Sequence, residues 1–153
     1  GKPFKMWKFR SMYRNADQMI DQLSEEQKRQ YHTEFKIDND PRITPVGNFL
    51  RKTSLDELPQ LFNVLAGEMS LVGPRPLLKS EIQQYYADSA DVLLSVKPGV
   101  TGYWQAYARN NATYQSGHRQ QMEMTYIRQA SIWLDCKILM KTVVAVLHRD
   151  GAK

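Results

Sequence analysis

The sequence predicts an α+β domain, mostly helical, with a few short strands or a β-hairpin. Three observations predict it. Runs of helix-forming residues fill most of the 153 positions. The strand-like runs are short and bounded by Gly and Pro, as in "EMSLVGPRP". No regular strand–helix alternation runs through the chain, which argues against a wound parallel sheet. A hydrophobic content of 42% at this length suffices for one core, so residues 1–153 read as one domain. Neither an internal repeat nor a low-complexity tract interrupts it.

The elements follow in order. "GKPFKMWKFRSMYR" is rich in aromatics and bases, holds no acid, and reads as a strand. The sequence opens abruptly in it with no partner strand before, so a cut fragment is expected. "NADQMIDQLSEEQKRQYHTEF" is polar with helical propensity and a thin apolar stripe of Met19, Ile20 and Leu23, which predicts a solvated surface helix. "KIDNDPRITPVG" is a loop, marked by Asp40-Pro41 and Pro45. "NFLRKT" and "LDELPQLFNVLAG" read as two short helices that bend at Thr53-Ser54. "EMSLVGPRP" is a short strand ending in a rigid corner, and "LLKSEIQQYYADSADVLLSV" is helical. "KPGVTG" reads as a loop and "YWQAYARN" as extended. "ATYQSGHRQQMEMTYIRQA" and "SIWLDCKILMKTVVAVLH" are the last two helices.

A formal charge of +5 suits an anionic partner: nucleic acid, an anionic membrane surface or a phosphorylated substrate. The single cysteine, Cys136, excludes an internal disulfide and fits a reducing compartment. Lys2, Lys5, Lys8 and Arg10 break up the N-terminus before a signal-peptide apolar run can form. Asp135, Lys137 and Lys141 interrupt the most apolar helix, and spanning a bilayer takes about 20 mostly apolar residues. A soluble or peripheral chain is expected.

Two features carry chemistry. Asp56 and Glu57 stand side by side in an apolar stretch. Ser54-Leu55-Asp56-Glu57 fits a capping box, so the acids could simply start a helix. Pro59 makes that start irregular, and Arg51 and Lys52 crowd it with positive charge. Adjacent helical residues do not share a face. One carboxylate could therefore attack a phosphorus centre while the other holds a metal or handles a proton. The second feature is Gly73-Pro74-Arg75-Pro76. Pro74 fixes its own φ and Pro76 drives Arg75 out of the α region. This stiff elbow could aim a guanidinium fork at phosphate oxygens, or place an arginine that caps a helix C-terminus.

Other candidates are weaker. "GNFLRKT" lacks the second glycine and the preceding strand of a phosphate loop. His32, His118 and His148 have no metal-ligand spacing with one another or with Cys136. Tyr103, Trp104 and Tyr107 could stack on a base, but such spacing is commoner in core packing.

The run "DPRITPVGNFLRKTSLDELPQLFNVLAGEMSLVGPRPL" closely resembles the bacterial sugar transferases, the monotopic phosphoglycosyl transferases. The likeness continues through "GKPFKMWKFRSM", "VKPGVTGYWQAYARN" and "SIWLDCKILMKTVVAVLHRDG" and leaves out only residues 15–39. It implies transfer of a sugar-1-phosphate from a UDP-sugar to a polyprenyl phosphate with release of UMP, as the first membrane step of polysaccharide or glycoconjugate assembly. It implies Asp56 as the nucleophile of a covalent phospho-sugar intermediate, and Asp56 and Glu57 as the Mg²⁺ site. Arg51 and Arg75 match the phosphate-binding arginines. Arg109 and Asn110 fall where the nucleotide-sugar pocket is implied. The chain departs from the family at Ala108, where Gly is common, and at Glu123, where Asp is common. The family also carries an apolar re-entrant membrane helix upstream, so a catalytic domain truncated at its N-terminus is expected. The implied location is the cytoplasmic face of the bacterial inner membrane, with membrane-interfacial helices and no nucleic-acid partner. Two rivals are a basic nucleic-acid-binding module, which leaves the acid pair unexplained, and an idle membrane-associated scaffold, which leaves the acids and arginines unexplained.

Overall fold

The computed structural model describes residues 1–35, 37–108 and 112–147. Its one sheet among these residues is a parallel pair, β1 (Ser70–Val72) with β2 (Gly99–Thr101), in the register Ser70 to Gly99 and Val72 to Thr101. Helices surround the pair, so the α+β reading holds, with a crossover pair in place of a hairpin. β2 lies inside "KPGVTG", which reads as a loop from its Pro and Gly. The close approach explains both glycines: a Cβ on Gly99 would run into the Gly73 amide nitrogen. Gly99 N–H donates to the Pro74 carbonyl at 2.8 Å, and Ser70 N–H to the Pro98 carbonyl at 2.8 Å. A hinge of small residues and prolines thus carries a strand that local composition hides.

The basic opening segment forms no strand. Its pairing is limited to one antiparallel bridge, Met12 with Ile43. Elsewhere its backbone bonds to side chains and to a turn. Trp7 N–H donates to Asn63 Oδ1 at 3.0 Å, Asn63 Nδ2 donates to the Lys5 carbonyl at 2.8 Å, and Phe9 N–H donates to the Asp56 carbonyl at 3.0 Å. Aromatic and β-branched content predicts an extended backbone, but a ladder needs a neighbouring strand.

Residues 15–35 divide at Leu23, which is buried. A 3₁₀ turn (Gln18–Gln22) precedes it, and α1 (Glu25–Glu34) follows from a capping box between Ser24 and Gln27. α2 (Pro45–Lys52) begins earlier than expected, because Pro45 is its first residue and Thr44 caps it through Gly47 N–H at 2.9 Å. Pro marks a loop from outside a helix and a start from inside one. The Ser11 carbonyl accepts from Thr44 N–H at 3.0 Å, which lays the opening segment across this helix. A Cβ on Gly47 would run into that carbonyl oxygen. Gly47→Ala is therefore expected to lower stability by roughly 1–3 kcal/mol. Thermal unfolding of the two proteins checks this, and equal midpoints would show that the helix and the segment separate freely.

The chain bends at Ser54 as expected and continues as a 3₁₀ turn (Leu55–Glu57) and α3 (Gln60–Leu65). After β1 come α4 (Lys79–Tyr85), a 3₁₀ turn (Ala87–Ser89) and α5 (Ala90–Leu93), so the single helix read there is broken. "YWQAYARN" is not extended: α6 (Tyr103–Tyr107) occupies it. Its aromatics favour strands by propensity, but Tyr103 and Ala106, three apart, share a helical face against the core. α7 (His118–Gln129) and α8 (Ile132–Leu147) close the domain. The segment before α7 is a loop held by Glu34, which accepts from Tyr114 and Gln115 N–H.

Two apolar clusters meet on α7. One gathers Val72, Tyr126 and Ile138, and the other Tyr86, Leu93 and Tyr114, with Ile127 packed against both. Arg42 and Asp40 form a buried ion pair at 2.7 Å beside Tyr31. Burial pushes the Asp40 carboxyl up, but its bonds to Arg42 outweigh that and hold it below the usual range.

α3 is inverted. It buries Gln60 and Asn63, three residues apart, and exposes Leu61, Phe62 (68%) and Leu65 (83%). α8 likewise exposes Trp133, Cys136, Met140, Val143 and Val144, which repeat at helical spacing along one face. Among the described residues, no helix is long and apolar enough to cross a membrane.

Candidate active site

Ser54 does not cap a helix. It takes a left-handed conformation with φ 56° and makes no capping bond to the backbone ahead of it. The expected capping box is replaced by a 3₁₀ turn, because Pro59 lacks the N–H that a longer helix would use. The turn has a chemical consequence. Successive side chains on a 3₁₀ helix diverge by about 120°. Asp56 turns inward and is only 8% exposed. Glu57 turns outward and pairs with Lys8 at 2.9 Å. The two acids thus occupy different environments, as their adjacency predicts.

Burial raises the Asp56 carboxyl above its ordinary range, and the neighbouring Glu57 charge pushes the same way. Lys8 and Arg51 oppose both effects. Asp56 is therefore a carboxylate of raised basicity, held near two cations. Arg51 sits at the end of α2 and donates through Nε to Ser11 Oγ at 2.9 Å. The opening segment thus supplies Lys8 and also orients Arg51.

Arg75 sits between its prolines at the end of β1. It caps no helix in the described structure. Its backbone N–H donates to Glu123 Oε1 at 3.2 Å. Its side chain lines a small cleft with Lys8, Glu57, Gln60, Pro76 and Gln105. Glu57 and Arg75 thus share one cleft, and Asp56, adjacent to Glu57, feels the charge of Arg51. Arg109, Asn110 and His148 lie outside the described residues.

Behind Glu57 opens an apolar groove of about 250 Å³. Leu55, Leu58 and Leu61 form one wall, and Thr142, Ala145 and Val146 of α8 the other.

Three site residues escaped the sequence reading. Lys8 is one of several bases in the opening segment, and nothing local marks it as the partner of Glu57, 49 positions away. Asn63 is fully buried and links the opening segment to Glu68, through Nδ2 to Glu68 Oε2 at 2.7 Å. Its signal was available, since Gln60 and Asn63 put two amides on one face of an apolar run. Glu123 stands out in the sequence only as a departure at an implied pocket, yet it is buried and bonded to the Arg75 amide.

Among the described residues, no group of three or more His, Cys, Asp or Glu could hold a metal ion. Mg²⁺ rarely uses an all-protein cage and is commonly held by one or two carboxylates plus substrate phosphates. Asp56 beside Glu57, whose charge raises the cost of ionising Asp56, is a donor set of that kind. The Lys8–Glu57 pair is about a third exposed, so it is weak and exchangeable.

A family model described as "Bacterial sugar transferase" matches residues 1–149. The chain is 48% identical to an undecaprenyl-phosphate galactose phosphotransferase of Salmonella typhimurium, covering 99% of this chain and 32% of that protein. It is 43% identical to a UDP-glucose:undecaprenyl-phosphate glucose-1-phosphate transferase of Escherichia coli, covering 94% and 29%. It is 41% identical to an exopolysaccharide production protein, ExoY, of Rhizobium meliloti, covering 99% and 67%. The chain thus spans about a third of the length of the first two.

Proposed function

Since this chain belongs to the bacterial sugar transferase family, we propose that it transfers a sugar-1-phosphate from a UDP-sugar to a polyprenyl phosphate. The observation that carries the reading is the gathering of Lys8, Glu57 and Arg75 around one cleft, beside a buried Asp56. An Asp56 oxygen attacks the phosphorus next to the sugar. A bond forms between Asp56 and phosphorus, the bond to the bridging oxygen breaks, and UMP leaves with that electron pair. An oxygen of the polyprenyl phosphate then attacks the same phosphorus. The bond to Asp56 breaks, its electrons return to the carboxylate, and a polyprenyl-diphosphate sugar is released. The two relatives named for undecaprenyl-phosphate reactions support this choice of acceptor.

Each residue has a distinct task. Lys8 and Arg51 partly offset the cost of ionising the buried Asp56. Arg75 meets phosphate oxygens with its fork, a geometry suited to bidentate contact. Lys8 leaves its weak pair with Glu57 to contact the incoming diphosphate. Asp56 and Glu57 would hold Mg²⁺, which when bound neutralises charge on the diphosphate.

The inverted helix α3 supports a membrane-facing acceptor. Exposing Phe62 and Leu65 while burying amides suits an apolar surrounding. The exposed stripe of α8 suits the same surrounding, and both would lie in the interface of the bacterial inner membrane, on the cytoplasmic side. Glu57 lines the apolar groove, so a tail lying in it could bring its phosphate near Asp56, the neighbour of Glu57.

The test is UMP release by the complete protein in liposomes, given undecaprenyl phosphate and either UDP-glucose or UDP-galactose. Release with one donor is expected, and chelation of divalent cations by EDTA is expected to abolish it. Lipid binding without turnover would point to a scaffold instead, and activity undiminished by EDTA would remove the metal from the reading.

A further inference from the structure

The Pro74-Arg75-Pro76 corner rests on a buried polar network. Prolines have no amide hydrogen, so the Arg75 N–H is the one backbone donor in the triplet. That donor meets Glu123 Oε1 at 3.2 Å. The same oxygen accepts from Trp104 Nε1 at 2.9 Å, and Oε2 accepts from the Tyr86 hydroxyl at 2.9 Å. Glu123 is 2% exposed. It joins Tyr86, at the end of α4, together with α6 and α7 to the corner.

The charge has a partner of unusual kind. Arg119 precedes Glu123 by one helical turn and is 4% exposed. Its guanidinium lies 4.0 Å from the centre of the Trp104 ring and 4.1 Å from that of Tyr114. Its Nε and Nη2 have no hydrogen-bond partner among the described residues. Burial pushes the Glu123 carboxyl up, and the Arg119 charge pulls it back. Burying charges in this manner stabilises little, and well-packed apolar residues often serve stability better. What the network does locally is fix the backbone of Arg75.

We propose that Glu123 is a positioning residue for substrate phosphate. Tyr86 and Trp104 hold its carboxylate, Arg119 balances its charge, and through the Arg75 amide it aims the Arg75 guanidinium across the cleft toward Lys8 and Glu57. This rests on the reading of Arg75 as a phosphate ligand.

A double-mutant cycle in the complete protein tests it, with UMP release from UDP-glucose or UDP-galactose as the readout. Glu123→Ala is expected to lower kcat/KM by about 10²-fold, the scale of a misplacement near 1 Å, chiefly by raising KM. Glu123→Asp keeps charge and acceptors and is expected to restore the rate to within about tenfold of wild type. In an Arg75→Ala background, Glu123→Ala is expected to change kcat/KM by less than about threefold, since residues acting through one another are not additive. An equal fold-loss in both backgrounds overturns the proposal. So does a lowered melting temperature with kcat/KM unchanged. If Glu123→Ala does not fold, Tyr86→Phe enters the same cycle, with coupling to Arg75 expected and additivity overturning. No turnover by wild type with any UDP-sugar overturns the functional reading and this inference together, whereas wild-type turnover with additive losses overturns this inference alone.

Discussion

Asp56→Asn is expected to reduce UMP release by about 10³-fold or more, while the fold survives or gains stability. The activity loss follows from chemistry. An amide nitrogen or oxygen cannot serve as the attacking carboxylate, and removing a covalent nucleophile is among the largest single losses an enzyme shows. The stability expectation follows from the direction of the Asp56 shift. Its carboxyl is raised above the ordinary 3.8 by burial first and by Glu57 second. An acid raised in the folded state binds its proton more tightly there than in the unfolded chain. The penalty is absent below the unfolded value and fully present above the folded one. At neutral pH the ionised Asp56 therefore weakens the fold, and the neutral Asn removes that cost. Labelled UDP-sugar should leave no protein-bound label in the mutant, and its melting temperature should equal or exceed that of wild type. Near-normal UMP release would sink the nucleophile assignment, and a large fall in melting temperature would make Asp56 a structural residue.

Arg75→Lys is expected to lower kcat/KM by about 10²–10³-fold although the charge is kept. The comparison is with loss of one preorganised donor at a developing charge, worth about 2.7–4 kcal/mol. Lysine is a point charge on a flexible stem and cannot present two parallel N–H groups. The backbone of the corner is unaffected, because the bond to Glu123 comes from the main-chain amide. At this residue the main-chain amide thus bonds to the interior, while Arg75 also lines the cleft. Kinetics of both proteins at several donor concentrations check the expectation. Equal rates would mean that the fork makes no bidentate contact.

Much of the fold was legible in local pattern, and the exceptions share a cause. Helices do form within "NFLRKT", "LDELPQLFNVLAG", "ATYQSGHRQQMEMTYIRQA" and the C-terminal run, but α2 starts earlier than its run, and α3 and α7 start later than theirs and without a side-chain cap. β2 was hidden because its residues read as turn formers, and a strand of this length exists only through its neighbour. α6 was hidden because aromatic propensity outweighed a two-residue helical face. The opening segment has the composition of a strand, while its hydrogen bonds go to a side-chain amide and a turn.

The sequence by itself determined that two adjacent acids would point apart, that a proline-clamped arginine would stand on a stiff corner, and that a bend would separate two short helices. Each depends on residues within a few positions of one another, where backbone sterics act directly. Tertiary structure alone decided which acid is buried, which lysine faces the other, and what holds the corner in place. Lys8 meets Glu57 across 49 positions, Asn63 meets Trp7 across 56, and Glu123 meets Arg75 across 48. Such partners leave no local pattern, because a buried polar group is satisfied by whatever the packing brings within about 3 Å. That distance is set by the folded chain and not by spacing along it.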